Sequence, residues 1–232
     1  MKKTAILLLT LLLLLPSLAL AREDWQRPYD QTQGATYVAF GRDPQEADGT
    51  VLPIAWRVLE TVDGVTYLLS EYILDVSKLH HLAMGYPGWD KADLKAWLQK
   101  DFIEKAFTGE EAAALVDIGE GLASLPSADD LKNTAFGIGD DMTRRTVGTP
   151  YANSEGLYYY RNYHHNPYWT RTPSTQKHAH RTVKEKGNLG YLGVTNHDMG
   201  IRPVIWLKAD AVEVIGGSGS LADPFQLAVK AR

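Results

Sequence analysis

Two hydrophobic periods divide the chain. Along Thr36 to Phe40, Ile54 to Leu59 and Val65 to Leu69, β-branched and aromatic residues are packed closely enough to predict strands. Gly41-Arg42-Asp43-Pro44-Gln45, with Asp48-Gly49, reads as turn chemistry between the first two. Asp63-Gly64 is the two-residue signal of a tight hairpin, since both central positions of such a turn need positive φ. The N-terminal part is therefore predicted to be antiparallel sheet. From Asp90 the spacing lengthens. Leu94, Trp97, Leu98 and Phe102 fall on one face of a helix, with Asp90 as its cap and Asp93 in the first turn, where a carboxylate meets the positive end of the helix dipole. Thr108-Gly109-Glu110-Glu111 predicts a second helix carrying Ala112 to Ile118, and Ser127-Ala128-Asp129-Asp130 a short third one. Residues 134 to 167 are rich in Gly, Tyr and Asn without a period, which predicts long loops over the core. Strands resume near Trp169, at Arg181 to Val183, at Tyr191 to Val194 and at Ile201 to Leu207. Ala211 to Ile215 and Phe225 to Val229, joined through Gly216-Gly217-Ser218-Gly219-Ser220, read as a terminal hairpin.

The most apolar of these stretches contains a charge. Arg202 stands between Ile201 and Pro203, ahead of Val204-Ile205-Trp206-Leu207. An unpaired buried guanidinium costs several kcal/mol or more, on the order of the penalty for any lone buried ion, so Arg202 must meet a carboxylate or carbonyls. Pro203 offers no N–H to a ladder and places an edge, a bulge or a sheet entry there. Tyr168-Trp169-Thr170-Arg171-Thr172-Pro173 repeats the combination of aromatic, Arg and Pro. Arg57, Arg171 and Arg202 are accordingly expected to be structural, with Asp198 a candidate partner for Arg202 and Arg171 in the same region of sheet. The competing role, a clamp on a ligand carboxylate or phosphate, fits less well with continuous core residues on either side. Together the elements predict an α+β domain over residues 35–232, with a mixed, mainly antiparallel sheet and two to three inserted helices.

The first 21 residues change the picture. Lys2 and Lys3, the apolar run Ala5 to Leu15, Pro16 and the small-residue site Ala19-Leu20-Ala21 have the three parts of a secretory signal peptide, so the mature chain is expected to begin at Arg22. Residues 22–34 read as a polar lead-in. The product is expected in the periplasm or outside the cell, with no stable membrane insertion after cleavage, because no second apolar run of that kind follows. The chain has no cysteine, which excludes disulfides, thiolate metal sites and Cys nucleophiles together. A net charge of -4 argues against nucleic acid as a partner.

Phe40-Gly41 with Pro44-Gln45, then PIAWRVLE (53 to 60), LLSEYILD (68 to 75), LKAWLQKDFIEKAFTGEE (94 to 111), LPSADDLKN (125 to 133), TPYANSEGL (149 to 157), YWTRTP (168 to 173) and GIRPVIWL (200 to 207) occur in that order. This set, spanning residues 36 to 208, resembles a secreted bacterial family known as domain of unknown function 6273. The resemblance implies no established activity. The closing pattern also looks like the end of the C-type-lectin-like and formylglycine-generating-enzyme-like folds, so a lectin-like architecture is expected. The latter enzymes depend on paired cysteines, and that chemistry does not transfer to a chain without any.

Candidate chemistry lies in the aromatic loop and the histidines. Tyr158, Tyr159, Tyr160, Tyr163, Tyr168 and Trp169 mix with Arg161, Asn162, His164, His165 and Asn166. Flat rings stack on the apolar face of a pyranose while amide, guanidinium and imidazole groups bond its hydroxyls, which makes Tyr160, Asn162, His164, His165, Tyr168 and Trp169 the expected ligand-binding set. The ordinary alternative is a loop pinned to the core by its tyrosines. His178 and His180 would share one face of a strand and are weak candidates for a divalent metal. His80-His81 and His164-His165 would point to opposite faces of a strand and so not supply two ligands simply. Gly216 to Ser220 fails the G-x-S-x-G spacing, and Gly137-Ile138-Gly139 lacks the third glycine of a phosphate loop. The expectation is a non-enzymatic binding module for cell-surface glycan or peptide, with no cofactor. A hydrolase or metal-dependent enzyme using His and Asp, and a structural envelope protein, are the alternatives.

Overall fold

The computed structural model describes residues 34–231; the expected signal peptide, and the lead-in up to residue 33, lie outside the described residues. Twelve strands form two sheets among the described residues. The first strands are β1 (Tyr37–Pro44), β2 (Val51–Val62) and β3 (Val65–Ser70), followed by β4 (Asp75–Val76) and β5 (Ala123–Ser124). Later come β6 (Tyr168–Pro173), β7 (Ala179–Val183), β8 (Leu189–Gly193), β9 (Gly200–Ile201), β10 (Val204–Lys208), β11 (Val212–Gly216) and β12 (Phe225–Val229). One sheet runs β11-β12-β1-β2-β3-β10-β5 and the other β4-β9-β6-β7-β8. All pairings are antiparallel except β1 with β12 and β6 with β9, so the α+β, mainly antiparallel expectation holds.

Local chemistry explains the hairpin between β2 and β3. Asp63 and Gly64 both take positive φ, 50° and 77°, and Val62 pairs with Val65 across them. The predicted turn at Gly41 is instead a bulge inside β1, which runs on to Pro44. Gly41 is required there because a Cβ would meet the Phe107 ring at 2.4 Å.

Three short helical pieces lie between the sheets' N-terminal and C-terminal strands. The first, α1 (Asp93–Trp97), continues through a π-turn at Leu98–Phe102 into α2 (Ile103–Ala106), and its buried residues include Leu94, Leu98 and Phe102. Asp90 does not cap it: Ala92 occupies that position, and Asp90 lies in a preceding 3₁₀ turn where it pairs with Lys95 at 2.8 Å. The capping box of Thr108 and Glu111 opens α3 (Gly109–Ala114) as predicted, but the helix stops at Ala114 because Leu115 leaves it to bridge Leu207. Ser127 and Asp130 cap each other's backbone N–H groups at 2.9 and 2.7 Å before a single 3₁₀ turn. A fourth piece, α4 (Pro150–Ser154), interrupts the long loops.

β10 is buried on both faces, which is why its sequence shows no alternation. Ile205 and Leu207 enter the core beneath α1 and α2, together with Trp56, Leu68 and Phe102. Val204 and Trp206 enter a second core with Leu69, Ile73 and Tyr168. Tyr67 and Trp206 are cross-strand neighbours whose rings stack at 4.9 Å.

The run Ile201 to Leu207 is not one strand. Ile201 pairs with Asp75 in the second sheet, while Val204 pairs with Leu69 in the first. Arg202 and Pro203 are the passage between them, consistent with a residue that cannot donate to a ladder. Both sheets are tied at this passage. Arg202 Nε donates to the Ser70 carbonyl at 2.8 Å, Ser70 N–H donates to the Pro203 carbonyl at 2.9 Å, and Arg202 Nη1 donates to the Tyr168 hydroxyl at 3.2 Å. The carboxylate beside Arg202 is not that of Asp198 but that of Glu71, 3.8 Å from Nη2. Glu71 also accepts from Nε and Nη2 of Arg57, at 3.0 and 3.1 Å. Arg57, Glu71 and Arg202 are all completely buried.

Arg171 joins different partners. It donates to the Leu125 carbonyl at 2.7 Å, pairs with Asp130 at 3.1 Å and lies over the Trp206 ring at 5.9 Å.

Arg202→Met should lower stability by about 3 kcal/mol, because the Ser70 carbonyl and Tyr168 hydroxyl lose their donor in a dry setting. Urea unfolding checks this; a variant melting like the parent would show that the passage between sheets does not need the guanidinium.

Candidate functional site

The aromatic loop is held by its ends. Tyr158 N–H donates to the Asp198 carbonyl at 2.8 Å, and Asn166 Nδ2 donates to the Tyr158 carbonyl at 2.7 Å. Asn166, itself buried, also accepts from Gly148 N–H at 3.0 Å. A turn closed by Tyr163 N–H on the Tyr160 carbonyl at 3.0 Å then stacks the two rings, 5.1 Å apart and 21° from parallel. Lys186 lies 4.9 Å over the Tyr163 ring, and the Tyr159 hydroxyl reaches His164 Nδ1 at 3.3 Å. His164 takes φ 51°, a left-handed position that costs a residue with a Cβ about 1 kcal/mol or more. Tyr158, Tyr159 and Tyr160 are 38%, 59% and 39% exposed, and Arg161, Asn162 and His164 are exposed beside them.

The expected ligand-binding set is thereby cut in two. Tyr160, Asn162 and His164 share the exposed turn, whereas His165, Tyr168 and Trp169 are buried. Tyr168 donates to the Arg144 carbonyl at 2.9 Å and Trp169 Nε1 to the Ser77 carbonyl at 2.8 Å. These rings fill the core and offer no face to a ligand. The chain passes from surface to sheet within the stretch, so adjacent aromatics do opposite jobs.

A second constellation forms where the sequence reading found none. Leu79 and His80 N–H groups both donate to the Val194 carbonyl at 3.0 Å, and Leu94 N–H donates to the Leu79 carbonyl at 3.1 Å. This pins residues 79–81, which lie in no strand, against the start of α1. The opposite-face argument for adjacent histidines applies only to extended backbone, and here both imidazoles turn to one carboxylate. His80 Nδ1 lies 3.1 Å from Asp93 Oδ1 and His81 Nδ1 2.6 Å from Asp93 Oδ2. Burial pushes the Asp93 carboxyl up, but hydrogen bonds from the His81 side chain and backbone, with the charges of both imidazoles, outweigh it and hold it below the usual range.

His178 and His180, the weak metal candidates, do not share a strand face. His178 takes φ 62° just before β7 begins, and its Nδ1 sits on the Ala83 carbonyl. His180 is buried in β7 with Nδ1 3.1 Å from the Tyr86 hydroxyl. Its ring also lies near Trp89, 6.2 Å between centroids.

Residues 125–209 match the family described as Domain of unknown function (DUF6273). The matched span takes in the aromatic loop, His180, Arg171 and Arg202, and leaves out His80, His81 and Asp93. It is narrower than the 36 to 208 expected from the motif order. No curated protein matches the chain, and no solved structure does. Among the described residues no helix is long and apolar enough to cross a membrane.

Burial pushes the His180 imidazole from 6.5 down to about 4, against the pull of the Arg171 and Thr170 carbonyls. The depressed value means that the unfolded chain binds the proton more tightly, so this contribution is present above pH 6.5 and is lost as pH falls towards 4. Asp43 acts in the opposite sense, since burial raises it from 3.8 to about 6. The comparison must therefore be between variants. On lowering the pH from about 7 to about 4, His180→Gln should gain on the order of 3 kcal/mol relative to the parent in urea unfolding. Parallel pH profiles for the two would contradict a neutral buried His180.

Proposed function

We propose that the protein is a non-enzymatic binding module whose contact face is the Tyr158–His164 turn, and that its ligand is a cell-surface glycan. The observation that carries this reading is the exposure of three consecutive tyrosines on a turn whose two ends are bonded into the core. Rings held in place before binding lose little entropy on contact, and tyrosine adds a hydroxyl to an apolar face. The neighbouring Arg161, Asn162 and His164 supply the donors and acceptors that hydroxyl-rich ligands need. Export, expected from the N-terminal 21 residues, would bring this face to such ligands. An enzyme built on His178 and His180 loses its geometric support, because the two side chains have separate partners.

The test is a glycan array followed by titration of the best ligand. Tyr160→Ala should weaken binding by about ten-fold or more while leaving the melting temperature close to the parent's, since a partly exposed ring is removed. Trp169→Ala should do the reverse, costing about 3–5 kcal/mol of stability through its cavity. Unaltered glycan affinity in both Tyr159→Ala and Tyr160→Ala would remove the turn as the site, and selective capture of peptides would reassign the ligand.

A further inference from the structure

We infer that His80, His81 and Asp93 bind a single divalent transition-metal ion of the zinc type. One ligand atom from each of the three can be chosen so that all lie within 4.8 Å of one another. Two ligands at about 2.1 Å on a tetrahedral ion stand about 3.4 Å apart, so the cluster needs only small shifts to receive one. The imidazole–carboxylate contacts, 3.1 Å from His80 to Oδ1 and 2.6 Å from His81 to Oδ2 of Asp93, are tighter than that ideal, and rotation of the exposed His81 imidazole relieves the shorter.

Hydrogen bonding alone does not settle His80. Its Nδ1 lies 3.1 Å from Asp93 Oδ1 and 3.4 Å from Asp93 N–H. A protonated Nδ1 suits the carboxylate and opposes the amide; a bare Nδ1 suits the amide and opposes the carboxylate. A cation between the groups reconciles the lone pairs of both imidazoles with the carboxylate, which is the arrangement of ligands that metals select. Two nitrogens and one oxygen favour zinc, cobalt, nickel or copper over calcium and magnesium, which take oxygen donors.

The surroundings suit such a site. His80 is buried, 5.5 Å from the Tyr86 ring, and its backbone is bonded to Val194, so one ligand is fixed. The side chains of His81 and Asp93 are 54% and 46% exposed, which gives the ion a path in and leaves coordination positions facing solvent. The ion would lock residues 79–81 to the start of α1. This inference uses none of the aromatic turn and stands or falls apart from the glycan reading.

The experiment is calorimetric titration of the purified chain, stripped with chelator, with ZnCl2, repeated with CoCl2 while the visible spectrum is recorded. One equivalent per chain is expected, with cobalt bands of a four- or five-coordinate ion. His81→Ala and Asp93→Asn should each weaken zinc binding by about ten-fold or more. His197→Ala, an exposed histidine elsewhere, should leave it unchanged. Because His81 and Asp93 are about half exposed, the metal-free variants should melt close to the metal-free parent; His81→Gln replaces His81→Ala if the latter does not. No saturable zinc uptake by the parent, equal uptake by the His81 and Asp93 variants, or loss of uptake in His197→Ala would each overturn the assignment.

Discussion

The structure depends on a carboxylate placed between two guanidinium groups in the dry region where its sheets meet. Glu71 follows the last residue of β3, receives Arg57 from β2 through two hydrogen bonds, and stands 3.8 Å from Arg202. Buried ions are expensive, and such a cluster survives only where geometry supplies enough partners. Here the partners are also the connectors. Arg202 holds the backbone at Ser70 from the first sheet and the Tyr168 hydroxyl from the second, at the point where the chain crosses between them. Tyr37 adds a hydroxyl to Arg57 at 2.6 Å, bringing β1 into the same network. The cluster's role is to fix which strands meet, and the apolar cores on either side of β10 then have one way to pack.

Much of this was legible where chemistry is local. The Asp63-Gly64 hairpin, the capping box at Thr108 and the terminal hairpin follow from neighbouring residues alone, and each is present. Sheet membership is not local. Ile201 and Val204 look like one strand because period counting reads burial, and both are buried, but in different sheets. The signal that separates them is Arg202-Pro203, which reads as an edge, a bulge or a sheet entry and marks the passage from one sheet to the other. Glu71 carried an equivalent signal, an acid among Leu69, Tyr72 and Ile73, and it is the complement of a buried Arg. Reading buried charges of opposite sign as pairs would have found it in place of Asp198. Buried Arg144 is a mixed case: the Asp141 carboxylate three residues before it is a local partner, whereas the carbonyls of Leu131, Gly139 and Gly187, which it also holds, are groups any sequence can provide.

The candidate sites show the same division. Composition located the aromatic turn, but it did not show that Asn166 and Pro167 carry the chain inward, leaving Tyr160 on the surface and Trp169 in the core. For the histidines, alternation of faces holds along a strand, and His80 and His81 lie in none. His80 and His81 meet Asp93 because Val194 and Leu94 bond the segment between β8 and α1, a contact of long sequence separation. His178 and His180 fail for the mirror reason, since a left-handed residue precedes β7 and breaks the alternation.

The claim that one buried network joins the two sheets rests on coupling between Glu71 and Arg202. A double-mutant cycle with Glu71→Gln, Arg202→Met and the pair, followed by urea unfolding near neutral pH, measures it directly. The account predicts that the two changes are non-additive by about 1 kcal/mol or more, because removing either group leaves the other buried with fewer partners. Additivity within about 0.5 kcal/mol would contradict it and reduce Arg202 to a donor for backbone and tyrosine alone.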